Sequence, residues 1–303
     1  MTGALDMTGF GIRMAGAFLV LIGLFATGIA PVAAAPPSQS KDPVGIDISW
    51  PQCDKMNTLP LGQAFAIVGV NGGLANNNNP CFAAQIEWAK TKTTGTGNHP
   101  AQPQVSLYVN TANPGHEGSW WPWSNVYKDV VVPPDRYGEC GPEFEGATRG
   151  PVNLACSFVY GYVRAYEDAT IRGVTDPGSY FWWLDVETGN SWQAGEPNST
   201  ALNRATLEGM VDYFKTITTN HKTADLKPAG VGIYSTSNQW GTIAGAVPSS
   251  SPLTGLPSWL AGARTLRGAK SNCSLPGLTP GSRVTLTQYV SAGLDYDYIC
   301  PSK

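Results

Sequence analysis

Two acids stand at the end of an apolar run: Asp185 and Glu187 in "YFWWLDVET", residues 180–188. On an extended segment, side chains two positions apart point the same way, with Cα atoms about 6–7 Å apart. Carboxylates held that close repel, which raises the pKa of at least one. One protonated acid beside one ionised acid is what glycosidic bond cleavage needs. A single such pair is equally a strand end facing water. The pattern recurs, however. Asp47 sits between Ile46 and Ile48 in "VGIDIS" (44–49), and Asp295 and Asp297 closely follow "RVTLTQYV" (283–290). Each alone reads as a turn residue or a helix cap. Together they would aim acids from three segment ends at one pocket. Other chemistries compete poorly. His99, His116 and His221 are scattered, no C-x-x-C spacing occurs, and no Ser-His-Asp or Cys-His grouping stands out. No metal site is expected.

The elements that must position these acids are legible as an alternation. Short apolar runs at 44–49, 64–70, 105–112, 180–188, 230–236, 258–262 and 283–290 read as strands. Between them, "CFAAQIEWAK", "SFVYGYVRAYEDATIRG" (157–173) and the segment 203–220 read as helices. The last carries Leu207, Met210, Val211, Phe214 and Ile217 on one face at helical spacing. This is an α/β pattern with a parallel sheet built from β-α units. Seven strands are compatible with a β/α barrel whose eighth strand is not legible, with an open doubly wound sheet as the alternative. In a barrel, Phe181, Trp183, Asp185 and Glu187 face inward at the C-terminal rim, where active sites form, while Trp182, Leu184 and Val186 pack on helices. No G-x-G-x-x-G follows the first strand, which removes the usual sign of a dinucleotide site; no cofactor is expected.

Residues 113–156 are a Gly-, Pro- and Trp-rich insertion, and "NNNNP" (76–80) is a loop. Trp120, Trp121 and Trp123 could offer flat faces to sugar rings, but packing of the loop onto the barrel is favoured. Tyr108 and Asn110 share a face of the third strand. With Tyr234, Gln288 and Trp192, they are candidate substrate contacts, against the plainer reading of polar core contacts.

Of the 303 residues, 14% are charged, and 35 Gly and 24 Pro make the chain loop-rich. The net charge is −3 without a basic cluster, which argues against nucleic acid as partner. Arg13, an apolar run and "PVAAAPP" form a targeting pattern with a cut expected after Ala34. Residues 1–34 thus read as a signal peptide, 35–43 as a linker and 44–303 as one barrel domain. The apolar run is short for a retained anchor, so no stable membrane insertion is expected after cleavage. The expectation is a secreted or wall-associated monomer. Six cysteines, all beyond the cut, argue for three disulfides. Of fifteen pairings, the sequential one is expected: Cys53–Cys81, Cys140–Cys156 and Cys273–Cys300. Cys53 and Cys81 follow the first two strands, whose ends should be neighbours.

"GIDISWPQ" resembles the opening G-I-D-V-S-x-x-Q of glycoside hydrolase family 25, the lysozymes of the Chalaropsis type. "WLDVE" resembles their D-x-E strand end, and "GIYST", "SWLAGA" and "LTQYV…LDYD" resemble their later strands in order. The chain is also similar to the secreted glycoside-hydrolase-like domains of actinobacteria. The resemblance spans about 44–300 and is sparse between motifs. It implies an irregular TIM-like β/α barrel and a polysaccharide substrate, hydrolysed at the β-1,4 bond after N-acetylmuramic acid in peptidoglycan. It implies Glu187 as general acid/base, Asp185 as the stabilising or acetamido-positioning carboxylate, and Asp47 as a rim acid. The family's last-strand aspartate maps to Asp295, with Asp297 as runner-up and a substrate contact together with Gln52. The chain departs from the family in three places. The segment from Tyr289 to that aspartate is shorter, Trp50 and Pro51 precede Gln52, and the 113–156 insertion is foreign to compact lysozymes. A non-catalytic wall-binding barrel remains the alternative function. Glu187, further along its strand, is expected nearer the mouth and to hold its proton to higher pH than Asp185.

Overall fold

The computed structural model describes residues 43–97, 99, 101–142, 146, 148–219 and 229–302. The expected signal peptide, its cut, the linker to residue 42 and His221 lie outside the described residues. The chain opens with β1 (Val44–Ile48), β2 (Ala66–Gly69), α1 (Phe82–Lys92) and β3 (Val105–Asn110). The insertion holds a small hairpin, β4 (Val126–Tyr127) and β5 (Val130–Val131). Then come α2 (Leu154–Thr170), β6 (Phe181–Asp185), α3 (Ser199–Thr219) and β7 (Gly230–Ser235). The chain closes with α4 (Ser237–Ile243), β8 (Ser258–Ala263), α5 (Leu266–Asn272), β9 (Val284–Ser291) and β10 (Leu294–Ile299).

Eight strands close a barrel in the order β1-β10-β9-β8-β7-β6-β3-β2. The fold is thus a β/α barrel with helices outside, as the alternation implied, but it is not wholly parallel. The strand missing from the sequence reading is β10, which runs antiparallel to both β9 and β1. Asp295 and Asp297 therefore lie on a barrel strand, not in a tail after the last one. A two-residue turn makes this possible: Ala292 and Gly293 have φ of 52° and 75°. Positive φ at both central positions matches the tight hairpin turns whose twist suits paired strands.

Alternation along β6 divides the core as expected. Trp182 points outward and stacks on Phe214 of α3 at 4.4 Å between ring centroids, and Leu184 and Val186 join it under the helices. Trp183 points inward to a second core of Phe65, Ile67, Tyr234, Trp259, Leu286 and Ile299. Leu207, Met210, Val211 and Phe214 are all buried, so the helical face read in α3 is the packed one. Helix α2 starts at Leu154, where the Asn153 side chain accepts the Cys156 N–H. The insertion therefore ends three residues earlier than its sequence boundary suggests. Part of its grip on the barrel comes from Glu208 of α3. That buried carboxylate accepts from Arg136 Nη2, from Tyr137 Oη at 2.7 Å and from Ser251 Oγ at 2.6 Å.

All three sequential disulfides are present: Cys53–Cys81, Cys140–Cys156 and Cys273–Cys300, with Cα separations of 5.5, 4.6 and 5.4 Å. They tie the turn after β1 to the start of α1, the insertion to α2, and the end of α5 to the end of β10. Among the described residues, no helix is long and apolar enough to cross a membrane.

Candidate active site

The C-terminal mouth of the barrel holds a cleft of about 300 Å³ lined by Asp47, Tyr108, Asp185, Glu187, Tyr234, Trp259, Gln288 and Asp295. Four of these eight are acids, and none is a base. A larger cavity of about 470 Å³ opens at the opposite mouth, between Phe181, Trp183, Pro257, Val284 and Ile299, and no carboxyl group lines it.

Each acid is placed by strand register. Asp47 lies opposite Asp295 across the β1–β10 pair. Asp185, the last residue of β6, lies between Asn110 on β3 and Tyr234 on β7. Its backbone carbonyl is held by the Thr111 N–H and hydroxyl at 3.1 and 2.7 Å. Glu187 lies beyond the strand end, on a segment braced from three sides. Ser235 Oγ donates to the Val186 carbonyl at 2.7 Å, Trp192 Nε1 to the Glu187 carbonyl at 2.9 Å, and Thr188 N to Gln239 Oε1 at 2.7 Å. Room for the aromatic wall comes from small inward positions. At Gly69 a Cβ would stand only 2.6 Å from the Tyr108 ring and 2.8 Å from its hydroxyl.

A polar chain crosses the floor. The Tyr234 hydroxyl donates to Gln288 Oε1 at 2.8 Å, and Gln288 Nε2 donates to Asp47 Oδ2 at 2.9 Å. Asp185 has no such help: its Oδ1 is buried without a partner among the described residues. Burial raises the Asp185 carboxyl well above the usual range, reinforced by the charges of Glu187 and Asp47. Burial and Asp295 likewise raise Asp47 far, against the Gln288 hydrogen bond. Glu187, half-buried, is raised by burial and by Asp295, while a Gln239 hydrogen bond pulls it down. Asp295 is raised by burial. Both carboxyls of the expected proton-donating pair, Glu187 and Asp185, are thus raised, each first by burial. Their surroundings differ: Asp185 is buried with one oxygen unpartnered among the described residues, whereas Glu187 has Gln239 and reaches solvent.

Five of the candidate residues therefore lie elsewhere or act differently from the simplest expectation. Asp297 is fully buried below the cleft. Asn110 is buried beside Asp185, with its N–H donating to Asn71 Oδ1 at 2.7 Å. Gln52 is turned back to accept the Ser49 N–H at 2.9 Å, closing the turn after β1. Trp192 braces the Glu187 segment and packs on the outer core. None of these four lines the cleft. Glu187 does line it, but from a loop and not from the strand. In the insertion, Trp120 and Trp121 stack on Tyr160 of α2 at 5.9 and 5.3 Å, whereas Trp123 is exposed. Packing claims two of the three. Two residues escaped the sequence reading. Trp259 lies on β8, whose register shifts around it and blurs the alternation. Gln239 approaches Glu187 from 52 positions away on α4, with no local signal.

No protein-family model matches the sequence, and no curated protein matches it. Among solved structures, the chain is similar to the bacterial lysozyme of Streptomyces coelicolor. The sequence identity is 17% and the TM-score 0.48, over 87% of this chain and 94% of that one.

Proposed function

We propose that this protein is a secreted glycoside hydrolase acting on cell-wall polysaccharide, at the β-1,4 bond after N-acetylmuramic acid in peptidoglycan. One observation carries the reading. Asp47 on β1, Asp185 and Glu187 at the end of β6, and Asp295 on β10 converge on one cleft with no base to neutralise them. Such a cluster cannot be fully ionised at once, and an acid beside a carboxylate is the working pair of glycosidases. The three disulfides fit an oxidising compartment.

In this reading Glu187 is the proton donor. With Asp295 it is one of two raised carboxyls in the cleft that still reach solvent, so it can meet a leaving oxygen at the mouth and exchange its proton with water afterwards. Asp185 lies deeper, with an unpartnered oxygen that a substrate amide N–H could satisfy. It would face the positive charge that develops on the sugar ring. Asp47, fixed by Gln288, orients and tunes the pair. Tyr108, Tyr234 and Trp259 form the apolar wall. Product analysis tests the assignment. Digested peptidoglycan, reduced with borohydride, should carry muramitol at its new ends. New ends on glucosamine would move the cleaved bond. Binding to insoluble wall without any soluble fragments would favour the wall-binding module.

A further inference from the structure

The fifth acid, Asp297, lies outside the cleft and has no place in the chemistry above. It is on β10, opposite Gly45 of β1 and Gln288 of β9, one pleat below Asp295. Its exposure is 0%, and neither carboxyl oxygen has a hydrogen-bond partner of good geometry among the described residues. The groups around it are Asp47 from β1, Asp295 from its own strand, Gln288 from β9 and Trp259 from β8. None of them is a cation. Gln288 is already committed, since its amide nitrogen goes to Asp47 and its oxygen takes the Tyr234 hydroxyl. The Trp259 indole is near enough to act on Asp297, but Nε1 also lacks a well-aligned partner.

We propose that Asp297 is a positioning residue: a permanently protonated carboxylic acid that donates its hydrogen to Asp47 and holds that carboxylate in place under the cleft. Two carboxyl groups side by side are both acceptors, and they bond only when one proton sits between them. An unpaired buried charge is far costlier than a neutral acid that donates. Which of the two keeps the proton follows from their surroundings. Asp47 already accepts a well-formed N–H bond from Gln288 and is 9% exposed at the cleft, whereas Asp297 is fully buried and faces only the poorly aligned indole N–H of Trp259 among the described residues. The cheaper arrangement ionises Asp47 and leaves Asp297 neutral. Burial, then the charges of Asp47 and Asp295, raise Asp297 well above the usual range, in the same sense. Asp47 is then held by two donors, one from β9 and one from β10.

The consequence for cleavage rests on the proposed glycosidase reading, but the protonation state does not. Infrared difference spectra at pH 7.5, wild type against Asp297→Asn, should show a protonated-carboxyl carbonyl band that the variant lacks. No lost band would overturn the proposal, whether or not the protein cleaves anything. The pH profile of peptidoglycan cleavage gives a second readout. Asn at 297 still offers an N–H to Asp47, so Asp297→Asn should keep the wild-type profile. Asp297→Leu, with no donor, should lose about 10- to 100-fold in rate and shift the acid limb upward. If Asp297 were ionised, removing its charge in Asp297→Asn would shift the acid limb downward, and that result overturns the proposal. Should Asp297→Leu fail to fold, the spectra and the Asn profile still decide. A wild type that shows the band but no cleavage leaves the proton assignment intact and removes the glycosidase reading instead.

Discussion

Replacing Gly161 by alanine tests how the two long helices are locked together behind the cleft. Gly161 lies in the middle of α2, against Thr206 of α3. A Cβ built there overlaps the Thr206 carbonyl oxygen and stands 2.7 Å from the carbonyl carbon. Ordinary carbon contacts begin near 3.5 Å and the overlap with the oxygen is tighter still, so the helices must part locally by more than about 0.8 Å. Overpacking of this kind costs about 1–3 kcal/mol. The shift also threatens the bond from Thr206 Oγ1 to the Ser157 carbonyl, 3.0 Å long, which contributes about 1 kcal/mol. Against this, alanine is the better helix former by about 1 kcal/mol. The net expectation is a loss of about 1–3 kcal/mol in urea unfolding, with an unchanged slope. Gly241 of α4 is the control, because a Cβ there meets nothing within 4 Å. Gly241→Ala should therefore gain up to about 1 kcal/mol. A neutral or stabilising Gly161→Ala would refute the packing argument. The same displacement should reach the site. Asp168 of α2 holds Asn71 at 2.8 Å, and Asn71 holds the end of β3 beside Asp185.

Two further outcomes follow from the buried acids. Asp47, Asp185 and Asp297 all have folded-state pKa values raised above 3.8, first by burial. Their stabilising contribution is complete below about pH 4 and is lost as pH rises through the folded values. Urea unfolding at pH 4.5 and pH 7.5 should thus show greater stability at the lower pH, and the reverse order would contradict their placement. Gln239→Leu removes the hydrogen bond that lowers Glu187. The limb of the cleavage profile assigned to Glu187 should move to higher pH, and an unmoved limb would remove Gln239 from the site.

Legibility in the sequence followed locality. Trp182 and Trp183 could be sent to opposite sides of β6 from the pleat alone, and the structure places them so. The helical face of α3 was equally local, as was the convergence of Asp47 and Asp185, since both are inward residues at strand ends. Strand β10 was hidden for a physical reason. Two of its three inward positions, Asp295 and Asp297, are polar and only Ile299 is apolar, so the run shows little of an apolar face toward the barrel. Its turn uses Ala292 and Gly293, not the Asn-Gly that marks a tight hairpin. The protonation of Glu187 depends on a donor from elsewhere in the chain, Gln239, which no local pattern reveals. The bond from Gln288 to Asp47 joins residues 241 positions apart and exists only because the barrel closes.

Glu187 is proposed to give up a proton to cleave a wall glycan. The most direct test is the rate at which new reducing ends form on purified peptidoglycan, wild type against Glu187→Gln. The substitution keeps the shape of the side chain and removes the transferable proton. The wild type should show steady release and the variant a loss of about 10²- to 10⁴-fold, with wall binding little changed. Equal rates for the two proteins, or no release by a wild type that binds the wall, would contradict it.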